Sequence, residues 1–214
     1  MATNLYFRNT TAAEPKPNVK QSTTPITQWV GDSAAAITAK DMLTAIGDTT
    51  YHFVNYSQTE PGATHYAWFK SWISPPLNAQ TISGTLSFIA DFIEGAAAHN
   101  LMPRIFVYVW KADDSGIRGI LYPNTNSAVE ADTSAGTMQT FFNGVAITPV
   151  DCQKGDKIVI EVMSFDNNTR TVTYTHDLLF NGTVASNSYS YIRFSQDLSW
   201  YVAAAVPRSW GIII

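Results

Sequence analysis

The stretch RIFVYVWKADDSGIRGILY, residues 104–122, joins two apolar runs through a short polar segment and decides the fold of this chain. In the first run aliphatic and aromatic residues alternate, which is the two-residue period of a β-strand. The segment ADDSG contains the residue types that favour tight turns, and Gly116 tolerates a positive φ. Asp113 and Asp114 are therefore predicted to cap the turn of a β-hairpin and not to form a catalytic or metal site.

Strand-like patterns recur along most of the chain and predict an all-β protein. The segments with strand composition or alternation are residues 50–55, 64–73, 81–94, 104–111, 117–122, 137–147, 157–165, 170–180 and 190–194. No long segment has a helical period, so the pattern favours an antiparallel β-sandwich or a β-barrel. The alanine-rich run of residues 31–46 lacks a helical stripe and is predicted to be irregular.

The N-terminal region differs in composition from the rest of the chain. Residues 10–27, TTAAEPKPNVKQSTTPIT, contain three prolines and no apolar period, so they are predicted to be extended. Such an arm is either a solvated linker or a strap that orders against a neighbouring subunit. The predicted organisation is an N-terminal strand and extended arm over residues 1–30, followed by a β-sandwich domain over residues 31–214.

Two of the predicted strands indicate where the core lies. In residues 81–94 the large apolar side chains fall on one face and Ser, Thr and Asp side chains on the other, as in a half-buried strand. The strand of residues 104–111 is apolar on both faces. Its Phe106, Tyr108 and Trp110 therefore need cover from the arm, from a second sheet or from another subunit.

The composition excludes several classes of function. Asp and Glu number 17 against 13 Lys and Arg, and the resulting formal charge of −4 provides no basic face for nucleic acid. No window has the apolar length of a transmembrane helix, and the first residues lack the apolar run of a signal peptide. Cys152 is the single cysteine, so neither an intramolecular disulfide nor a cysteine zinc site is possible. We expect a protein that binds neither nucleic acid nor a membrane.

No group of residues in the sequence has the spacing of a catalytic or metal site. The four histidines are scattered, and no G-x-S-x-G nucleophile motif is present. Asp91 and Glu94 form the one carboxylate pair in a long predicted strand, and their offset of three places them on opposite faces. We therefore predict no enzymatic activity, no metal and no cofactor. The six tryptophans and ten tyrosines suit either stacking on sugar rings or packing in a core and an interface.

Several segments of the sequence resemble small structural proteins of tailed bacteriophages. They are WISPPLNAQTISGTLSF at residues 72–88, GIRGILY at the end of the hairpin, KGDKIVIEV at residues 154–162 and YIRFSQDLSW at residues 191–200. Proteins of that family begin with a short strand similar to NLYFRNT. The resemblance implies a jelly-roll-like antiparallel β-sandwich with no enzymatic activity. The link IEGAAAHNLMP and the final segment VPRSWGIII depart from the family pattern.

The resemblance implies a capsid decoration or cement protein, made in the host cytoplasm and located on the capsid surface of the virion. The implied partners are the major capsid protein or other virion proteins, and further copies of the chain in a homo-oligomer such as a trimer. The alternative is a tail- or fibre-associated module that binds a receptor or a glycan. The residues predicted to contribute to assembly lie in the N-terminal strand, in the arm and at the C-terminal end; they are Leu5, Tyr6, Phe7, Pro15, Pro17, Pro25, Trp210 and Ile214.

Overall fold

The computed structural model describes residues 1–14, 16–17, 21, 39–45, 52–58, 65–96, 100–134, 137–166, 174–180 and 189–202. The described strands are β1 (Thr3–Thr11), β2 (Lys40–Leu43), β3 (His52–Gln58), β4 (His65–Ile73), β5 (Gln80–Ile82), β6 (Thr85–Ile93), β7 (Leu101–Trp110), β8 (Ile117–Asn126), β9 (Gln139–Ala146), β10 (Val150–Cys152), β11 (Lys157–Asp166), β12 (Tyr174–Phe180) and β13 (Tyr191–Phe194). These residues contain no helix, and so none with the length and apolar character that a membrane crossing requires. The predicted all-β class is confirmed.

The strands form two layers that are connected by β1. Layer A contains β3, β12, β6, β13 and β1 in hydrogen-bonded order, with β9 on the other edge of β6. Layer B contains β2, β4, β11, β7 and β8. The first half of β1 pairs with β13 and its second half pairs with β2, so this strand passes from one layer to the other. The pairing of β2 with β4 is parallel, and β5 and β10 form a separate antiparallel ribbon.

The core lies between the two layers, where aromatic side chains from both meet. Phe69 of β4 contacts Phe92 of β6 with ring centroids 5.0 Å apart, and Trp72 of β4 contacts Phe180 of β12 at 5.2 Å. Phe7 of β1 stacks on Trp72 at 4.4 Å. Since β4 has no backbone strand pairing with β1, β6 or β12, these rings join the inner faces of the layers. The predicted β-sandwich is confirmed.

β1 belongs to the sandwich. Leu5 and Phe7 are 0% and 1% exposed and are part of the core cluster, whereas Tyr6 and Arg8 lie on the opposite face of the strand. The alternation of β1 inserts its apolar side chains between the layers. The division of the chain at residue 30 stays a prediction.

β6 has the predicted alternation but is shorter than the segment 81–94 from which it was predicted. Phe88 and Phe92 are fully buried in the core. A break at Ser83 and Gly84 separates β5 from β6, because Gly84 adopts a φ of 93° that interrupts the pleat. Asp91, on the face that the sequence predicts to be polar, is buried rather than solvated.

The hairpin turn between β7 and β8 has the predicted form. Asp113 Oδ1 accepts a hydrogen bond from Ser115 N at 3.0 Å, and hydrogen bonding from Ser115 lowers the pKa of Asp113. Asp114 Oδ1 accepts one from Trp110 Nε1 at 2.6 Å. Asp114 and Gly116 have φ of 60° and 132°, which a tight turn requires at such positions. Both aspartates therefore hold the turn.

Two short strands lie where the sequence predicts none. β2 falls within the run 31–46, which was predicted to be irregular, and it contributes Met42 to the core. β10 contains Cys152, whose thiol is buried, and this burial raises its pKa to about 12. Strands of three and four residues are too short for a periodic signal, so only their pairing partners reveal them.

Candidate assembly interface on the outer face of layer B

β7 presents a row of aromatic side chains on the face of layer B that points away from the core. Phe106, Tyr108 and Trp110 are 2%, 0% and 7% exposed. Successive ring centroids along the row are 5.0 and 6.4 Å apart. Val159 and Met163 of β11 pack in the same cluster. This outer face is therefore buried, and the predicted need for cover is met by the chain itself.

Part of the cover comes from the segment that follows β1. We call its described residues, 12–14, 16–17 and 21, the arm. Ala12 packs in the aromatic cluster, and its N–H donates to Ala39 O at 2.9 Å. Lys157 Nζ of β11 donates to Ala13 O at 2.9 Å, and Pro17 is buried. The described residues of the arm therefore lie against the sheet of their own chain.

Glu161 of β11 holds the far end of the arm. Its side chain is fully buried beside the aromatic row, and Oε1 accepts hydrogen bonds from Tyr108 Oη at 3.0 Å and from Gln21 N at 2.7 Å. A buried carboxylate is tolerated when donors surround it, and bonds to an ionised acceptor are short and strong. Burial, the charge of Glu161 and this hydrogen bond together raise the pKa of Tyr108 well above its ordinary value. Tyr108 therefore remains a neutral donor at physiological pH.

Charged side chains surround the near end of the arm. Burial lowers the pKa of Lys157, while the negative charges of Glu14 and Asp41 oppose that shift. Burial raises the pKa of Asp41, and Lys157 is the largest of the opposing charges. Lys157 and Asp41 are both partly desolvated, so the charged form of each depends on the opposite charges around it. Lys16 Nζ adds a bond to Ala12 O at 3.0 Å.

The main-chain atoms of the arm make its polar contacts with the sheet. Ala13 offers its carbonyl to Lys157 and Gln21 offers its N–H to Glu161, so neither contact depends on the identity of the arm side chain. Capture of extended backbone by fixed side chains, with apolar residues filling the spaces between, is a common way to bind a peptide segment. The outer face of layer B can therefore hold an extended strap.

The residues predicted to contribute to assembly are distributed over different environments. Leu5 and Phe7 are enclosed in the core, and Tyr6 is half-buried on the other face of β1. Pro17 is buried in the arm. The remaining four, Pro15, Pro25, Trp210 and Ile214, lie outside the described residues. Among the four described residues, three lie on β1 and Pro17 lies in the arm, and the role of the whole set in assembly stays a prediction.

Sequence reasoning missed the residues that hold the arm. Glu161 stands in the run KIVIEVM, between Ile160 and Val162, which are both buried. A carboxylate in so apolar a strand indicates that hydrogen-bond donors lie nearby, because a buried carboxylate requires partners. The identity of those partners is not visible locally, since Gln21 lies 140 positions away in the sequence.

The described residues do not bring a metal site together. No group of three or more His, Cys, Asp or Glu side chains among them is arranged to hold a metal ion. Asp91 and Glu94, the carboxylate pair considered from the sequence, are both buried. Glu94 Oε2 accepts a hydrogen bond from Leu101 N at 3.1 Å and so holds the start of β7.

Comparison with known proteins gives structural likenesses only. No protein-family model matches the chain, and no curated protein matches it. Similar solved structures include an aminopeptidase from the marine sediment archaeon Thaumarchaeota archaeon, with a TM-score of 0.49 and 8% identity over 91% of this chain and 36% of that one. They also include the structure of infectious bursal disease virus of the Gx strain, with a TM-score of 0.34 and 12% identity over 84% of this chain and 39% of that one. The structure of the Gt strain has a TM-score of 0.28 and 10% identity over 75% of this chain and 42% of that one. The chain spans less than half of each. With TM-scores below 0.5, these likenesses carry no functional inference.

Proposed function

We propose that the chain is a virion structural protein of a tailed bacteriophage that decorates the head shell and acts by protein–protein contacts. The observation that carries the proposal is the arm, an extended segment held across the outer face of layer B by Glu161 and Lys157. The sequence resemblance to phage structural proteins supports the same role. In this proposal the partners are the major capsid protein and further copies of the chain, arranged as a homo-oligomer.

A decoration protein needs a rigid body and a surface that mates with the shell. The sandwich supplies the rigid body, because its aromatic core joins both layers. The arm and the strands beneath it supply the surface, which combines apolar cover with main-chain atoms held in fixed positions. Fixed positions matter for binding, because a segment that is already ordered loses little entropy when a partner contacts it.

The alternative role is a tail- or fibre-associated module that binds a receptor or a glycan. Half-buried aromatic side chains beside β1 favour it, because Tyr6 and Trp200 line one hollow there with Asn4 and the exposed Asp197. The two roles place the protein at different positions on the particle.

The test is the position of the protein on intact virions. Gold-labelled antibody against the purified chain is applied to particles of the phage that encodes it and viewed by electron microscopy. Particles grown without the gene serve as the control for unspecific label. We expect label over the whole head, and binding of the purified protein to heads that lack it.

The other outcomes are equally informative. Label confined to the tail or its tip, together with glycan binding, would favour the alternative and contradict decoration. Absence of the protein from purified virions, checked by mass spectrometry, would overturn both roles.

A further inference from the structure

A separate hollow lies on the outer face of layer A, where β6 and β13 run side by side. Its volume is about 290 Å³, and we call it the arginine hollow. The residues that line it are Ala2, Thr85, Ser87, Arg193 and Ser195. Each of its four polar side chains can donate hydrogen bonds, and no lining side chain carries a negative charge. The arginine hollow therefore favours a ligand that is negatively charged and rich in acceptor atoms.

The pairing of β6 with β13 brings the four polar side chains together. Arg193 lies directly opposite Ser87 in this antiparallel pair. Two residues further along, Ser195 N donates to Thr85 O at 2.9 Å. Residues two apart on a strand share a face, and directly opposite Cβ atoms lie about 4.5 to 5.5 Å apart. Because Phe194, between Arg193 and Ser195, is fully buried in the core, the strands hold this group of donors in place.

Two of the hydroxyl groups already accept hydrogen bonds from the main chain. Ser195 Oγ accepts one from Thr85 N at 2.9 Å, and Ser87 Oγ accepts one from Gly144 N at 2.9 Å. A hydroxyl group also has one proton to donate. Neither serine hydroxyl donates to an acceptor among the described residues. The main-chain bonds therefore fix the positions of both oxygens and leave their protons available to a ligand.

The donors of Arg193 are also available. Its side chain is exposed, and its guanidinium group makes no ion pair or hydrogen bond with the residues that the structure describes. Asp197 lines the neighbouring hollow beside β1 instead, where its carboxylate lies 3.8 Å from the N-terminal amino group. A guanidinium group presents its N–H donors in a planar fork that matches two oxygens of a phosphate or a similar oxyanion.

The number of donors favours a tetrahedral oxyanion over a carboxylate. Three hydroxyl groups and the fork of Arg193 line the hollow. A phosphate or sulfate group offers at least three acceptor oxygens to these donors, whereas a carboxylate offers two. Nucleic acid would require a series of cationic side chains along its backbone, and the arginine hollow contains a single one.

We propose that the arginine hollow binds a sulfate or phosphate group, either as the free ion or as an ester. Arg193 binds two of its oxygens, and the hydroxyl groups of Ser87, Ser195 and Thr85 donate to the others. The site lies on layer A, whereas the arm lies on layer B, so it adds an anionic ligand to the proposed structural role.

The test measures binding of inorganic sulfate, inorganic phosphate and methyl phosphate to the purified full-length chain, with acetate as the carboxylate probe. The NMR signals of Arg193 Nε and of the Ser87 and Ser195 amides give both affinity and location, and sodium chloride keeps the ionic strength constant. We expect saturable shifts of these signals at millimolar concentrations of the oxyanions, and clearly weaker binding of acetate. Methyl phosphate that binds as tightly as phosphate would identify an ester as the ligand, and weaker binding would identify the free ion.

Three variants locate the site. Arg193→Gln should weaken sulfate binding by about tenfold or more, the loss expected for a charge-assisted hydrogen bond. Lys154→Gln makes the same change of charge at an exposed position outside the hollow and should bind as the unmodified chain does. Ser87→Ala removes one hydroxyl donor and should weaken binding by about fivefold.

Absence of saturable shifts with all three oxyanions would overturn the proposal. So would equal weakening by Arg193→Gln and Lys154→Gln, since binding would then depend on net charge alone. Acetate that binds as tightly as sulfate would contradict the assignment of a tetrahedral oxyanion. The assay involves no virion, so its failure would leave the proposed decoration role untouched.

Discussion

The outer faces of the two layers differ in how their polar groups are satisfied. On layer B the arm lies over the aromatic row, and Glu161 receives donors from Tyr108 and from the arm backbone. On layer A beside β1, Asn4 and Tyr6 stay half-buried, and Asn4 Oδ1 has no donor among the described residues. Where the arm covers layer B, the buried carboxylate of Glu161 is paired with donors of the chain itself. Beside β1 the described residues supply no such donor to Asn4 Oδ1.

β1 makes this difference possible, because it contributes to both layers and then continues into the arm. Its inward side chains fix the strand in the core, and its outward side chains form part of the hollow beside β1. Any change that releases β1 should therefore disturb both outer faces at once, whereas changes confined to one face should leave the other intact. The predictions below separate these cases.

The largest effect is expected from Phe7→Ala. Phe7 is 1% exposed and stacks on Trp72 at 4.4 Å, so its truncation leaves a cavity between the layers. We expect the free energy of unfolding to fall by about 3 to 5 kcal/mol, measured by urea denaturation. Tyr6→Ala, the neighbouring change on the outer face, is the control and should cost clearly less. Similar losses for both variants would show that β1 does not have the inward and outward faces described.

An intermediate effect is expected from Tyr108→Phe. The change keeps the ring in the aromatic row and removes the hydroxyl that donates to Glu161 at 3.0 Å. We expect a loss of about 1.5 to 3 kcal/mol in the free energy of unfolding, the range for hydrogen bonds to charged groups. Faster amide hydrogen exchange at Gln21 should accompany it, because both groups share Glu161 Oε1. Unchanged stability and exchange would mean that Glu161 does not couple the sheet to the arm.

The smallest effect is expected from Asp177→Asn on β12 of layer A. Burial raises the pKa of Asp177 above its ordinary value of 3.8, so the folded state binds the proton more readily than the unfolded state. The carboxylate therefore lowers stability at neutral pH, and this penalty disappears as the pH falls through the raised pKa toward 3.8. We expect the variant to be slightly more stable at pH 7, with the difference shrinking on acidification. If the difference in urea midpoint between the variant and the unmodified chain did not change with pH, a raised pKa of Asp177 would be contradicted.

The sequence predicts the parts of the fold that depend on local patterns. The hairpin at Asp113 and Asp114 and the inward face of β6 follow from alternation and turn chemistry, and both are present. β2 was missed because four residues give no period, and its parallel pairing with β4 depends on distant residues. The place of β1 in the core depends on distant residues in the same way, since only tertiary contacts assign Leu5 and Phe7 to it.

The candidate sites were less accessible to sequence reasoning. The arm contact joins Gln21 to Glu161 across 140 positions. The hollow beside β1 combines Asn4, Thr44 and Trp200 from three separate parts of the chain. In both cases the residue types are ordinary, and only the packing of the layers gives them a common location.

The most direct test of the central claim compares Gln21→Pro with Gln21→Ala. Proline has no N–H to donate to Glu161 Oε1, whereas alanine keeps that donor and loses only the side chain. The measurement is attachment of each purified variant to phage heads that lack the protein, with amide hydrogen exchange at Ala12, whose N–H donates to Ala39 O, as the monitor of arm release. We predict that Gln21→Ala attaches like the unmodified chain, and that Gln21→Pro exchanges faster at Ala12 and attaches about tenfold more weakly. Equal attachment of the two variants would contradict the claim that the docked arm forms part of the assembly surface.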